Sequence, residues 1–117
     1  QDIAAMIRTH IDFGLENPDM YRIAFMSVQP KDWIAPAAAV SPSTRSTFGV
    51  LAEIIASLHA KGRTINVDPL TLAQCTWAGM HGLVSLLIAK PQFPWSEREH
   101  LIRAHTLMLA RGILRQA

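Results

Sequence analysis

Cysteine is nearly absent. Cys75 stands alone in 117 residues, so the chain can close no disulfide on itself and can assemble no thiolate metal cluster. Its apolar neighbours fit a small buried side chain in a reducing compartment, which reads as the cytoplasm. Charge is sparse as well, 17% of residues with a net of +2 and a pI near 9.1. The Lys and Arg residues are scattered and form no block, which argues against nucleic-acid binding by this segment and leaves no recognition helix to be found. Long apolar runs are missing too. The longest uninterrupted one, Gly82 to Ala89, contains Ser85 and falls far short of the ~20 residues that span a bilayer. No strand-like alternation, internal repeat, low-complexity tract or secretory signal appears. The chain starts at Gln1 without a methionine and enters amphipathic sequence at once, as a fragment of a longer protein would.

What is present is hydrophobicity, 50% of residues, in a length suited to one domain with a real core. So apolar a composition with so little charge predicts surfaces that a partner covers, and hence a homo-oligomer. The periodicity is helical throughout. Ile3, Met6, Ile7, His10 and Gly14 share one stripe of a helix over residues 2–17, and Asn17-Pro18-Asp19 ends it, caps and turns the chain, and starts a second helix to about Ser27. Pro30, Pro36 and Pro42 then interrupt an Ala/Ser stretch that reads as a loop. Ser43 or Thr44 caps a third helix with a stripe of Phe48, Leu51, Ala52, Ile55, Leu58 and His59, stopped by Gly62. After a polar connector, Asp68 caps and Pro69 opens a long helix. Ser96 and Glu99 form a capping box for a last helix to about Arg115. The fold class is therefore all-α, a bundle of about five to six helices.

The long helix carries the least ordinary segment, Trp77-Ala78-Gly79-Met80-His81-Gly82-Leu83. Each glycine costs a helix interior about 1 kcal/mol relative to alanine, so close approach of another backbone or a ligand is expected there. Phasing places Trp77, Met80, Val84 and Ile88 on a core face with His81 at its border. Leu72, Cys75, Gly79, Gly82, Leu83 and Leu86 fall on the opposite side, and Gln74, Ala78 and Ser85 leave a narrow, weakly polar strip between. The last helix presents a similar wide arc, with Leu101, Ile102, His105, Met108, Leu109, Gly112 and Ile113. Two such helices predict a homodimer joined by a symmetric four-helix interface, with Leu72, Cys75, Gly79, Gly82, Leu83, Leu86, Leu101, Ile102, His105, Leu109, Gly112 and Ile113 in it. The alternative is a fully buried central helix in a monomer.

At this point the residues resemble a family. Glu16-Asn17-Pro18-Asp19-Met20-Tyr21-Arg22-Ile23-Ala24-Phe25 is similar to the E-N-P-x-x-Y-R-hydrophobic-x-F stretch of TetR-family transcriptional regulators, and Trp77 to Leu83 is similar to the W-x-x-x-H-G-L signature of their WHG-type C-terminal domain. The resemblance covers essentially the whole chain. It implies a C-terminal regulatory domain that dimerises through its last two long helices and holds a small apolar or amphipathic effector among the others. In such proteins a helix-turn-helix domain, absent from this chain, recognises DNA, so the chain should not bind operator by itself.

Tyr21, Phe25, Trp33, Trp77, Met80 and His81 are the candidate ligand-binding residues: apolar walls with a phenol at one end and an imidazole that can bond a ligand or change charge near neutral pH. The competing reading is plain core, with His81 bonded to a structural partner. An enzyme is disfavoured. Glu97 and His100 reproduce one Glu-x-x-His pair of a di-iron bundle without the second pair or the extra carboxylates, and they lie on the polar side of their helix. No nucleophile elbow, phosphate loop, metal cluster or cofactor motif is visible, and Cys75 among apolar residues should be unreactive. The expectation is a regulatory domain of a repressor with a small-molecule effector. The alternatives are a constitutive dimerisation module without ligand and, more remotely, a small helical enzyme.

Overall fold

Each helix begins where a local side-chain or ring geometry stabilises its first turn. The computed structural model describes residues 2–27 and 42–116, the side chains of 42–47 excepted. The Asp2 carboxylate accepts the Ala4 N–H at 3.0 Å and caps α1, Ile3–Glu16. Pro18 opens α2, Pro18–Tyr21, and the chain continues through a π-helical turn over Arg22–Met26. The Ser27 hydroxyl donates back to the Ile23 carbonyl at 3.0 Å and closes that wide turn. Helix α3, Pro42–Ala60, starts at Pro42, so Ser43 and Thr44 lie inside the helix and neither is its cap. It ends before Gly62, whose φ of +69° is the left-handed geometry that glycine adopts without strain. Asp68 accepts the Thr71 N–H at 3.0 Å and Pro69 opens α4, Pro69–Ala89, as the sequence predicts. Helix α5, Arg98–Ile113, departs from the prediction at its start: Glu97, not Ser96, is the cap, accepting the N–H groups of Glu99 at 2.8 Å and His100 at 3.0 Å. A two-oxygen carboxylate satisfies two orphan donors where a hydroxyl would satisfy one.

The described residues thus form five α-helices and no strand, with one isolated antiparallel bridge between Thr64 and Leu114. Helix α1 packs on both α4 and α5, and α3 packs on α4. Ile7, Ile11, Tyr21, Leu51, Ile55, Met80 and Val84 are fully buried between them. By length and composition α4 is long and apolar enough to cross a membrane, but Leu72, Ala73, Thr76, Met80, Leu83, Val84, Leu87 and Ile88 bury one broad arc of it against the other helices, as in the core helix of a bundle.

That arc corrects the phasing. Leu72 and Leu83, expected on the partner-facing side, are 5% and 6% exposed and belong to the same buried arc as Met80. Ile102 and Ile113 of α5 are each 3% exposed and likewise sit in the chain's own core. Four of the twelve expected interface residues therefore have no surface to offer a partner. Cys75, expected to be buried, is exposed, on the side of α4 that none of the described helices covers. The proline-interrupted stretch before Pro42, with Trp33 in it, lies outside the described residues.

Candidate functional site

The two sequence motifs meet in space. Tyr21, at the end of α2, is fully buried, and its hydroxyl lies 2.7 Å from Nδ1 of His81 on α4. The two rings stack with centroids 5.5 Å apart. The next residue, Arg22, ties the same two segments together a second way: Nη1 pairs with Asp19 at 3.1 Å while Nη2 reaches the Ile88 carbonyl at 3.4 Å, near the C-terminal, electronegative end of α4. The tyrosine and arginine of the first motif are thus anchors for the helix that carries the second.

Around this bond stands an aromatic cluster. The π-helical turn directs the Phe25 ring to 4.7 Å from Tyr21, centroid to centroid. His10 of α1 is 5% exposed and meets both Tyr21, at 6.0 Å, and Phe25, at 6.2 Å, edge to face. Trp77, one helical turn before His81, is half-buried and packs on Phe48 of α3 with ring centroids 5.7 Å apart. Met80 is fully buried beneath them. The structure therefore brings Tyr21, Phe25 and His81 together, sets Trp77 a turn away, and puts Met80 in the core.

His10 and Phe48 were not among the candidate residues of the sequence. The signal for His10 was present, a lone imidazole in the otherwise apolar stripe of α1. Nothing in the sequence pairs Phe48 with Trp77.

The cluster is electrically neutral near pH 7. Burial pushes the Tyr21 phenol well above its ordinary range, and no charge among the described residues offsets that. Burial lowers His81, and burial together with the nearby His81 lowers His10 to about 4. Two polar atoms remain without a hydrogen-bond partner among the described residues, Nε2 of His10 and Nε1 of Trp77, both shielded from solvent. Buried polar atoms of native proteins nearly always have partners, so these two stand out among the described residues.

A different part of the molecule accounts for Gly79. A Cβ on it would fall 2.7 Å from Leu109 Cδ2, and its carbonyl lies 2.9 Å from His105 Nε2. Gly79, His105 and Leu109, all expected at a dimer interface, are therefore engaged in joining α4 to α5 within one chain. Gly82 has nothing within 4 Å of where its Cβ would be. Cys75 and Leu86 of α4 and Met108 and Gly112 of α5 are exposed, while Gly82 and Leu101 are half-buried and Leu101 packs against the core. Leu86 is 49% exposed and Met108 70% exposed. Glu97 and His100 face solvent, and the Glu97 carboxylate, which accepts the His100 backbone N–H, is held below its ordinary range by those capping bonds.

A family model described as tetracyclin repressor-like, C-terminal domain, matches residues 3–109 of the chain. Comparison with curated proteins and with solved structures finds no match.

Proposed function

The chain belongs to the tetracyclin repressor-like C-terminal domain family and is a regulatory domain of a TetR-family regulator; from that premise we propose that it binds a small apolar or amphipathic effector and homodimerises, and so controls DNA binding by a helix-turn-helix domain outside these 117 residues. A regulatory family of this kind is not enzymatic. The observation that supports the effector reading is the pair of shielded nitrogens, Nε2 of His10 and Nε1 of Trp77, that have no partner among the described residues. The Tyr21–His81 bond at 2.7 Å is by itself the structural partnership of the competing reading. Neutral aromatic walls with a few unfilled polar positions are what an amphipathic molecule needs.

The dimer reading rests on the outer side of α4 and α5. Helix α4 contains no Asp, Glu, Lys or Arg at all, and its uncovered side, with Gln74, Cys75, Ala78 and Leu86 exposed, carries no charge. Gly82 has no neighbour among the described residues that requires the loss of a side chain, although glycine weakens a helix by about 1 kcal/mol. Close approach of α4 and α5 from a second copy offsets that weakness and covers Leu86 and Met108. Because His81 and Gly82 are adjacent, the effector site and the dimer face share one helix. An effector that favours one placement of α4 would then change the separation of two recognition helices and release their half-sites, giving a repressor that effector inactivates.

Native mass spectrometry of the purified chain, 12.9 kDa as a monomer, tests both parts. A dimer with an added small-molecule mass is the expected spectrum. A dimer that neither carries nor takes up any ligand makes the chain a constitutive dimerisation module. A monomer at micromolar concentration overturns the interface. For the mechanism, the full-length regulator is titrated onto operator with the recovered molecule at saturation, and unchanged affinity rules out induction.

A further inference from the structure

The hydrogen-bonding capacity of the site specifies the chemistry of what it takes. Tyr21 is fully buried, and among the described residues its hydroxyl has one partner, Nδ1 of His81. A buried O–H must donate to something, so the phenol donates to Nδ1. A neutral imidazole that accepts at Nδ1 carries its proton on Nε2. His81 is therefore a donor on its outer edge. Trp77 Nε1 is a donor only, is buried, and has no acceptor among the described residues. Residues four apart on a helix sit one above the other, with Cβ atoms about 6 Å apart, so two N–H donors line one face of α4. Flat rings stand against them, Tyr21 stacked on His81 and Phe48 tilted on Trp77, with Phe25 behind Tyr21. No carboxylate or cation contributes to the titration of Tyr21 or His81, whose shifts come from burial alone.

We infer that the site selects a flat, uncharged molecule bearing a carbonyl-type oxygen, which accepts hydrogen bonds from Trp77 Nε1 and His81 Nε2 while its rings lie against the aromatic walls. This rests on the effector reading above and narrows it. A carboxylate would be desolvated with no counter-charge, and an ammonium would meet two donors and no anion. A pure hydrocarbon would leave the indole N–H unbonded.

Three probes of similar size separate the cases: chromone, a planar bicyclic ketone; naphthalene, the same shape without an acceptor; and chromone-2-carboxylate. Each is titrated into the isotope-labelled chain at neutral pH, and the indole N–H resonances are followed by NMR, Trp77 being assigned from its loss in Trp77→Phe. Chromone is expected to move the Trp77 signal downfield and to bind about tenfold more tightly than naphthalene, one hydrogen bond's worth. The carboxylate should bind more weakly than chromone. Trp77→Phe trims the aromatic wall as well as the donor, so it should lower the affinity of both probes, and that of chromone by the larger factor. Equal binding of naphthalene or of the carboxylate at this site overturns the acceptor assignment and leaves the effector site standing. If none of the three perturbs Trp77 or His81, the effector site itself is overturned, and the assignment with it. The wild-type comparison does not depend on how well the variant folds.

Discussion

Arg8 of α1 grips Glu99 of α5 at two points, with Nη1 2.9 Å from Oε2 and Nη2 2.7 Å from Oε1. Its Nε holds Asp12 at 2.9 Å on the same helix, and Arg103 adds a 3.2 Å contact to Glu99. The fork geometry of guanidinium is what allows one side chain to serve two carboxylates, and these bonds hold the Glu99 carboxyl below its ordinary range. The network joins the first described helix to a helix of the proposed dimer face.

Arg8→Lys keeps the charge but loses the two-point grip. The pair is partly exposed, so the expected effect is a small fall in the urea midpoint, smaller than for any core substitution, that shrinks further at molar salt. A midpoint shift that salt leaves unchanged would show that the arginine acts through packing of its stem instead.

Gly14 is a different kind of joint. A Cβ there would lie 2.7 Å from Val84 Cγ1 and 3.0 Å from Tyr21 Cδ1, so the absence of a side chain is what lets α1 and α2 close on α4. Gly14→Ala gains about 1 kcal/mol of helix propensity but overpacks the core by about 1–3 kcal/mol, for a net loss on the order of 1 kcal/mol. Adding Val84→Ala should recover part of it. Chemical denaturation of the four-member cycle measures this coupling, and strict additivity would mean that the contact does not limit packing.

These two contacts show what the sequence could and could not disclose. Caps and breakers are local chemistry, and Asp2, Pro18, Gly62, Asp68 and Pro69 announce the helix ends to within a residue or two. The two family-like motifs were legible for the same reason, being contiguous. Their partnership was not: Tyr21 and His81 are 60 residues apart, and no pattern along the chain pairs them. The buried arc of α4 is not legible along the chain because a helix with no Asp, Glu, Lys or Arg gives phasing no polar face to exclude. Leu72 and Leu83 looked as suited to a partner as Leu86 did. Only the positions of α1, α3 and α5 decide which leucines are inside. Gly79 and Gly82 looked equivalent for the same reason, yet one faces Leu109 and the other open space.

That difference between the glycines makes the dimer testable. Gly82→Ala removes a helix-weakening residue and touches nothing among the described residues, so an isolated subunit should gain about 1 kcal/mol. In a dimer that needs close helix approach, Gly82→Leu together with Leu86→Arg should instead give a folded monomer or weakened dimer by sedimentation, with the helical circular dichroism signal retained. A dimer of undiminished affinity would remove this face from the interface. Gly79→Leu does not serve as a substitute, because it would push on Leu109 inside the subunit.

Acid should loosen the fold before it protonates the surface carboxylates. His10 titrates near 4 in the folded chain against 6.5 when free, chiefly because it is buried and secondarily because His81 is near; burial lowers His81 as well. Between those two values the unfolded chain holds a proton on His10 that the folded chain does not. Unfolding therefore takes up protons, and stability rises with pH across the window. The contribution is whole above the free value and is lost progressively as pH falls toward 4, on the order of 3 kcal/mol from His10 alone. His10→Phe keeps an edge-to-face ring against Tyr21 and Phe25 and removes the titration. Urea midpoints across this window should fall steeply with acid for the native chain and markedly less for the variant, with His81 and, toward the acid end, the depressed Glu97 and Glu99 carboxyls accounting for the residual slope. Parallel pH profiles would mean that His10 is solvated, and so would remove it from the wall of the effector site.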